Sequence, residues 1–378
     1  MSDIAVGVLG ASGDVGTHAA RLLHRAGADP ICLGSRDIRR ARRVLAHDLD
    51  GVGCAMAVDA ADERSLLKFA SRCRVLVNAA GPSCEVGRPV ARAARAAGVD
   101  LVDAAGDEPL HAFLTGPGGD PPAEKGRIDV LSCGMQPGLT GILPRLLASS
   151  LERAVSLVVW FAVVDLFTRA AAEDYLEGTA RKLTEPLAAW RNGRRVPRAM
   201  RRSSDPVAVP GIDGLFTDLP VLTTEAERLA TQLELVDGTW HTLMAQGRVA
   251  GVLDRLHALE RGEAREALCL ASRIDMSARR PAAALLAEVR GPGGARGEPP
   301  RIRSGLLRGP GTGALAGAAT AAAAQAVLAG EVPPGLHYAA EILDPARTID
   351  RVCAAPGVEV RVVDGPVELV DPVEEGEL

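Results

Sequence analysis

Through the first hundred residues, short apolar runs alternate with stretches whose apolar positions recur at helical spacing. Ile4 to Leu9, with Val6 and Val8, ends at a glycine-rich turn, after which Thr17 to Ala26 sets Ala19, Ala20, Leu22 and Leu23 on one helical face. The same alternation follows at Ile31 to Leu33 and Ile38 to Leu49, at Cys54 to Val58 and Ser65 to Ala70, and at Val75 to Val77 and Val86 to Ala97. Strands separated by helices need crossover connections, so the pattern predicts an α/β fold with a doubly wound parallel sheet and helices on both faces. Leu101-Val102-Asp103 and Ile128 to Cys133 read as further strands, the second followed by a helix from Leu139 to about Leu151.

The pattern changes near Ala154. Val155 to Val164 is a long β-rich run, and mixed helices with Pro/Gly-rich loops continue to about residue 300, which predicts a second, α+β domain. The expected boundaries are a doubly wound α/β domain at 1–150, the α+β domain at 151–305, and a C-terminal part at 306–378 that returns to the first domain. That last part holds a small-residue helix from Gly311 to Ala329 and the pieces Leu336 to Leu343 and Val358 to Val363. Gly309 to Gly330 carries no charge, yet Ala, Gly and Thr are too weakly apolar to favour a bilayer, so a buried, close-packed helix is expected. The acidic end, Glu374-Glu375-Gly376-Glu377, reads as a frayed tail.

Composition narrows the functional classes. With 47% hydrophobic and 24% charged residues the chain is globular, and its net charge of −5 offers no general attraction to nucleic acid or to an anionic membrane. Two basic runs, Arg36 to Arg43 and Arg191 to Arg202, have the character of solvated surface, and only Arg36 bears on the site below. Seven cysteines, without a C-x-x-C pair, argue against a disulfide framework and a zinc ribbon, and no metal is expected. A reducing cytoplasm fits this usage, and Met1-Ser2-Asp3-Ile4 opens into a strand-like run with no basic segment or cleavage site of a signal peptide.

The cofactor signal lies between the first strand and helix. Gly10-Ala11-Ser12-Gly13-Asp14-Val15-Gly16 has G-x-x-G-x-x-G spacing. Gly10 permits the tight turn, Gly13 lets the backbone approach a pyrophosphate, and Gly16 lets the helix pack on the strand. Ser12, Asp14 and Val15 complete the turn and the first helical amides, which face the anion. A NAD-selective site has an acid at the end of the second strand, whereas this chain has Ser35-Arg36, a hydroxyl and a guanidinium suited to a 2′-phosphate and hence to NADP(H). Asp59, after the third strand, either bonds the adenine amino group or caps the next helix. Asn78, Ala79, Ala80 and Gly81, followed by Pro82, supply small residues where the nicotinamide-side ribose passes.

Together with Val102-Asp103-Ala104-Ala105-Gly106-Asp107 and Pro137-Gly138, these motifs resemble the saccharopine dehydrogenase-like NADP-binding family over residues 4 to about 145, and the remainder only in general layout. The resemblance implies a Rossmann-type nicotinamide domain joined to an α+β domain that shapes the substrate cleft and often mediates dimerisation, so a homodimer is an open expectation. It also implies hydride transfer at a carbon–nitrogen bond in many members and enoyl reduction in some. The residues carried over are Gly10, Gly13, Gly16, Ser35, Arg36, Asn78, Ala80 and Gly81. No complete signature for saccharopine itself is present.

Chemistry at an imine needs a protonated nitrogen and at an amine a base, so groups able to exchange a proton are the catalytic candidates. The first domain offers Asp103 and Asp107 at the expected C-terminal strand ends, with helix capping or solvation as the alternative. Cys84 lies near the expected cleft, although most lone cytosolic thiols are inert. The second domain offers Tyr175, in Glu173-Asp174-Tyr175, and His241, after Asp237-Gly238-Thr239-Trp240. The expected partner is a small-molecule or carrier-bound substrate. Imine/amine hydride transfer on an amino-acid-like compound, enoyl reduction of a lipid or polyketide-type substrate, and non-catalytic NADP(H) sensing remain three readings of these residues.

Overall fold

A computed structural model describes residues 4–116, 126–203, 205–293 and 299–370. The chain forms two units, one from the chain up to Leu139 with Gly313–Pro356, the other from Thr140–Thr312 with the chain from Gly357. The first unit begins with β1 (Ile4–Leu9), α1 (Asp14–Arg25), β2 (Ile31–Ser35), α2 (Ile38–Asp48), β3 (Cys54–Ala57) and α3 (Glu63–Ala70). It continues with β4 (Cys73–Asn78), α4 (Ser83–Ala97), β5 (Asp100–Asp103), α5 (Glu108–Thr115) and β6 (Ile128–Leu131), and α6 (Leu139–Ala148) follows. The strands run parallel in the order β3-β2-β1-β4-β5-β6. Because β1 pairs with both β2 and β4, the connections diverge there, and the crevice beyond the strands' C-terminal ends opens at that point.

Burial on both faces explains why the strands read as nearly unbroken apolar runs. All of β2 is buried, and α1 buries Gly16, Ala19, Ala20, Leu22 and Leu23. The helix expected from Thr17 starts earlier, at Asp14, since Gly13 takes the N-cap position. The sequence gives no clear signal for α5, whose two buried residues, Leu110 and Leu114, make too short a stripe to stand out.

The second unit contains β7 (Ser156–Val164), α7 (Arg169–Ala180), β8 (Thr184–Pro186), β9 (Ala189–Arg191), β10 (Arg194–Val196), β11 (Val207–Val209) and β12 (Ile212–Thr223). Then come α8 (Thr224–Gln232), β13 (Asp237–Ala245), α9 (Arg248–Leu253), α10 (Arg261–Asp275), β14 (Ala282–Arg290) and β15 (Ile302–Gly309). Its sheet is mixed: β7 pairs in parallel with β13 and antiparallel with β14, while β12 lies antiparallel to β13. Ala172, Val249, Val252, Leu268 and Ala271 pack α7, α9 and α10 against Met244 of β13.

After these come α11 (Thr312–Leu328), β16 (Gly335–Tyr338), α12 (Ala339–Ile342), α13 (Pro345–Cys353) and β17 (Glu359–Asp364). Here β16 joins β6 in parallel and completes a seven-stranded sheet. The small residues of α11 permit close contact with α1. A Cβ on Gly313 would lie 1.8 Å from Asp14 Oδ2, and one on Gly317 would lie 2.7 Å from the Val15 carbonyl oxygen. No helix among the described residues is long and apolar enough to cross a membrane.

Two expectations need correction. The divisions fall at 139/140 and 312/313 instead of 150/151 and 305/306. Nor does the whole C-terminal part return to the first unit: β17 pairs antiparallel with β15, extending the second sheet to ten strands. Its alternating, half-exposed side chains suit an edge position and carry no information about which sheet they extend. Met1-Ser2-Asp3 and the acidic end at 374–377 lie outside the described residues.

Candidate functional site

The glycine turn is shaped by backbone proximity. Gly10 adopts φ +79°, and a Cβ there would lie 2.6 Å from the Ala79 carbonyl carbon, so the turn after β1 crosses the loop after β4 directly. Gly16 sits against the same turn, with a Cβ position 2.3 Å from Gly10 O. Gly13 differs, for its φ of −86° suits any residue and a Cβ would meet only Gly10 O, at 3.2 Å. It caps α1 without a side-chain hydrogen bond, leaving the first-turn amides of a twelve-residue helix without a side-chain cap. A bare backbone, an open face at Gly13 and a helix N-terminus match the needs of a pyrophosphate. Thr17 Oγ1 donates to Ala11 O at 2.9 Å and secures the turn, Asp14 pairs with His18 at 3.5 Å, and Val15 is half-buried.

At the end of β2, buried Ser35 meets Ser12 with 2.7 Å between hydroxyl oxygens, and its Oγ also accepts from Asp37 N at 3.2 Å. Arg36 is exposed beside it. Asp37 caps α2 by accepting from Arg39 N and Arg40 N, which places the basic start of that helix next to the serine pair. Hydroxyl and guanidinium donors around an open position fit a 2′-phosphate. Asp59 is exposed and accepts from Ala61 N at 3.0 Å, whereas Asp62 caps α3. The helix-cap alternative for Asp59 is therefore incorrect: an intervening turn gives the N-cap position to Asp62.

The loops after β4, β5 and β6 are joined by buried polar contacts. Asn78 Nδ2 donates to Asp103 Oδ2 at 2.7 Å, and Asn78 Oδ1 accepts from Ala80 N at 3.2 Å. Asp103 Oδ1 accepts from Ala105 N at 3.0 Å and from Gly106 N at 2.6 Å. Ser132 Oγ donates to Gly106 O at 2.8 Å, and a Cβ on Gly134 would lie 2.5 Å from Ala104 O. Half-exposed Ala79, Ala80 and Gly81 border this assembly with little side chain to obstruct a ribose. Asp103 itself is 1% exposed, and burial pushes its pKa upward against the hydrogen bonds from Asn78, Gly106 and Ala105. Both of its oxygens hold the loops in place, which is a positioning arrangement. Asp107 is half-buried at the head of α5 and does not cap that helix with its side chain; Cys84 is exposed at the start of α4.

In the second unit, His241 lies on β13 and Tyr175 on α7. His241 Nδ1 is 2.9 Å from Asp218 Oδ1 on β12, and its ring stacks on Trp160 with centroids 5.9 Å apart. An ionised carboxylate only accepts, so the Asp218 contact places the proton on Nδ1 and leaves the Nε2 lone pair for exchange. Tyr175 is 40% exposed, its ring edge-on to Phe167. The two candidates thus have different neighbours. Sequence reasoning missed Asp218, Ser132 and the contact between Ser12 and Ser35, because each depends on residues distant in the chain. Among the described residues no group of His, Cys, Asp and Glu is arranged to hold a metal ion.

Residues 6–121 match the family described as saccharopine dehydrogenase NADP binding domain. Among solved structures, the apo histidine-tagged saccharopine dehydrogenase (L-Glu forming) from Saccharomyces cerevisiae aligns over 95% of this chain and 99% of its own, with TM-score 0.68 and 16% identity. That likeness shows a shared fold. A short-chain dehydrogenase/reductase from Veillonella parvula in complex with NADP covers 26% of this chain and 46% of its own, at 15% identity and TM-score 0.23. A metagenomic short-chain oxidoreductase in complex with NADP covers 27% and 61% respectively, at 25% identity and TM-score 0.22. A search of curated protein sequences finds no significant match.

Proposed function

On the premise that the N-terminal domain belongs to the saccharopine dehydrogenase NADP-binding family and takes NADP(H), we propose that the chain is an oxidoreductase that moves hydride to or from a carbon–nitrogen bond. The substrate class is an imine/amine pair of an amino-acid-like or carrier-bound intermediate. The observation carrying this reading is the full-length likeness to a saccharopine dehydrogenase, extending beyond the nucleotide-binding domain.

NADP(H), when bound, supplies or accepts the hydride. The work of the chain is then to hold and orient. Gly10, Gly13 and Gly16 with the α1 amides cradle the pyrophosphate, Ser12 with Ser35 and Arg36 engages the 2′-phosphate, and Asn78 with Asp103 keeps the loops beside the nicotinamide half in register. A proton must accompany hydride at nitrogen. His241 is the leading candidate because Asp218 orients its ring, with Asp107 and Tyr175 as alternatives.

The test is an NADPH-oxidation screen against preformed imines, oxo acids mixed with amines, and enoyl thioesters. Turnover with the first two classes is expected. Consumption of NADPH only with enoyl thioesters replaces the imine assignment by enoyl reduction, and tight NADPH binding with no turnover favours a sensor.

A further inference from the structure

Cys32, Cys54 and Cys73 belong to the apolar layer that packs around Phe69 of α3. Strand register brings two of them together, because β2 and β3 are parallel with Cys32 directly opposite Cys54. Neighbouring strands lie about 4.8 Å apart with paired side chains on one face, inside the Cα separation of about 4.4–6.8 Å that a disulfide spans. Cys73 stands on the far side of β1, its thiol donating to Ala70 O at 3.3 Å. Exposure separates the pair: Cys32 is buried, and Cys54, on the edge strand β3, is half-buried. Burial first, and then hydrogen bonding with the Cys54 thiol, pushes the Cys32 pKa well up, so Cys32 persists as a thiol. An oxidant from solvent meets Cys54 first.

We propose that Cys32 and Cys54 are a reversible oxidation site, a dithiol that a hydroperoxide converts to an intrachain disulfide across β2 and β3 and that thereby weakens NADP(H) binding. The Cys54 sulfur attacks the distal peroxide oxygen, the O–O bond breaks, and Cys54 becomes a sulfenic acid while the alcohol or water leaves. The Cys32 sulfur then attacks the Cys54 sulfur, the S–O bond breaks, and the departing hydroxide leaves as water with the Cys32 proton. Two thiols lose two electrons to one peroxide, and no buried thiolate has to persist. The link to the cofactor site is the rest of β2. Leu33 and Gly34 lead from Cys32 to Ser35, whose hydroxyl holds Ser12, and a Cβ on Gly34 would lie 2.8 Å from Phe69 Cζ. The Cα spacing thus admits the bond, but closing it brings the two Cβ atoms to about 3.5–4.5 Å, nearer than the strand spacing of about 4.8 Å, and this adjustment falls on a segment with no slack. The disulfide rests on the register alone, and its effect on binding rests on the NADP(H) site, so neither depends on the substrate proposed above.

The experiment uses the full chain, reduced and then exposed to a small excess of hydrogen peroxide, with peptide mass spectrometry and NADPH titration. Arg25 and Arg36 bracket Cys32, and Arg43 and Arg64 bracket Cys54, so trypsin releases the two cysteines on separate peptides. A linked pair about 2 Da lighter than the sum of its reduced parts is expected, reversed by dithiothreitol. Cys54→Ser should abolish the link, and Cys32→Ser should leave Cys54 as a sulfenic acid that a dimedone probe captures. The NADPH dissociation constant should rise about threefold or more on oxidation of the wild type and stay unchanged in both variants. Oxidation confined to Cys84 or other thiols overturns the proposal, as does a linked protein that binds NADPH as well as the reduced one.

Discussion

Ser12 and Ser35 share a hydrogen bond of 2.7 Å that joins the glycine turn after β1 to the end of β2. With Arg36 exposed beside this bridge, no carboxylate occupies the position where a 2′-phosphate would be repelled. The expected outcome is NADPH binding at least about tenfold tighter than NADH, since a charge-assisted hydrogen bond contributes about 1.5–3 kcal/mol. Arg36→Ala should remove most of that preference. Fluorescence titration of both nucleotides checks it, and equal wild-type affinities would defeat the phosphate assignment.

Two glycines of one motif should respond differently. Gly13→Val is expected to fold and to lose dinucleotide binding, because its Cβ meets only Gly10 O at 3.2 Å while its side chain fills the pyrophosphate path. Gly16→Val should lower stability itself, as its Cβ would lie 2.3 Å from backbone that cannot move aside. Circular dichroism melts with NADPH titrations separate the two outcomes. Normal binding by the Gly13 variant would place the cofactor elsewhere.

Removing Asp103 should be costly. Asp103→Ala deprives Asn78 Nδ2 and Gly106 N of their acceptor in a buried place, and Ala105 N in a half-buried one. Buried donors left without partners cost about 1–3 kcal/mol each, so a loss of about 3 kcal/mol or more is expected in urea unfolding. A loss below about 1 kcal/mol would mean that the loops are held by other contacts.

Asp129 at the base of β6 is 1% exposed, and burial raises its pKa to about 6 despite Arg127 and Arg95. Arg95 Nε is 3.7 Å away, too far for a hydrogen bond. The ordinary carboxyl value of 3.8 applies to the unfolded chain. The folded state therefore holds the proton more tightly, and this contribution is fully present below the unfolded value and lost as pH rises through about 6. Stability should fall by about 1.4 kcal/mol per pH unit across that window through this group alone. Asp129→Asn should flatten that part of the curve and be at least as stable as the wild type at neutral pH. Denaturant titrations at several pH values test this, and an unchanged slope would assign the dependence to other groups.

If His241 supplies the proton in the proposed reaction, His241→Gln should lower kcat by about a hundredfold and alter the pH–rate profile while NADPH affinity stays nearly intact. Asp218→Asn should produce a milder loss with a shifted profile, since it removes the group that orients the ring. Wild-type profiles in both variants would transfer the role to Asp107 or Tyr175.

The parallel sheet, its helices and the glycine turn were legible from local pattern, because helical spacing, apolar runs and glycine spacing are properties of neighbouring residues. So was the place of Ser35 and Arg36, which follows from counting to the end of the second strand. Distant pairings were not. The contacts between Ser12 and Ser35 and between Asp218 and His241 each span 23 residues, and nothing near either partner announces the other. The edge strand β17 could have extended either sheet, and the pairing of Cys32 with Cys54 required the register of β2 against β3. Asp103 shows the same limit: its position at a strand end was readable, but the occupation of both its oxygens by Asn78, Ala105 and Gly106 emerged only in the tertiary structure. Local chemistry specifies the elements and what each can bear, whereas burial of their shared surfaces selects which side chains meet and which charges leave water.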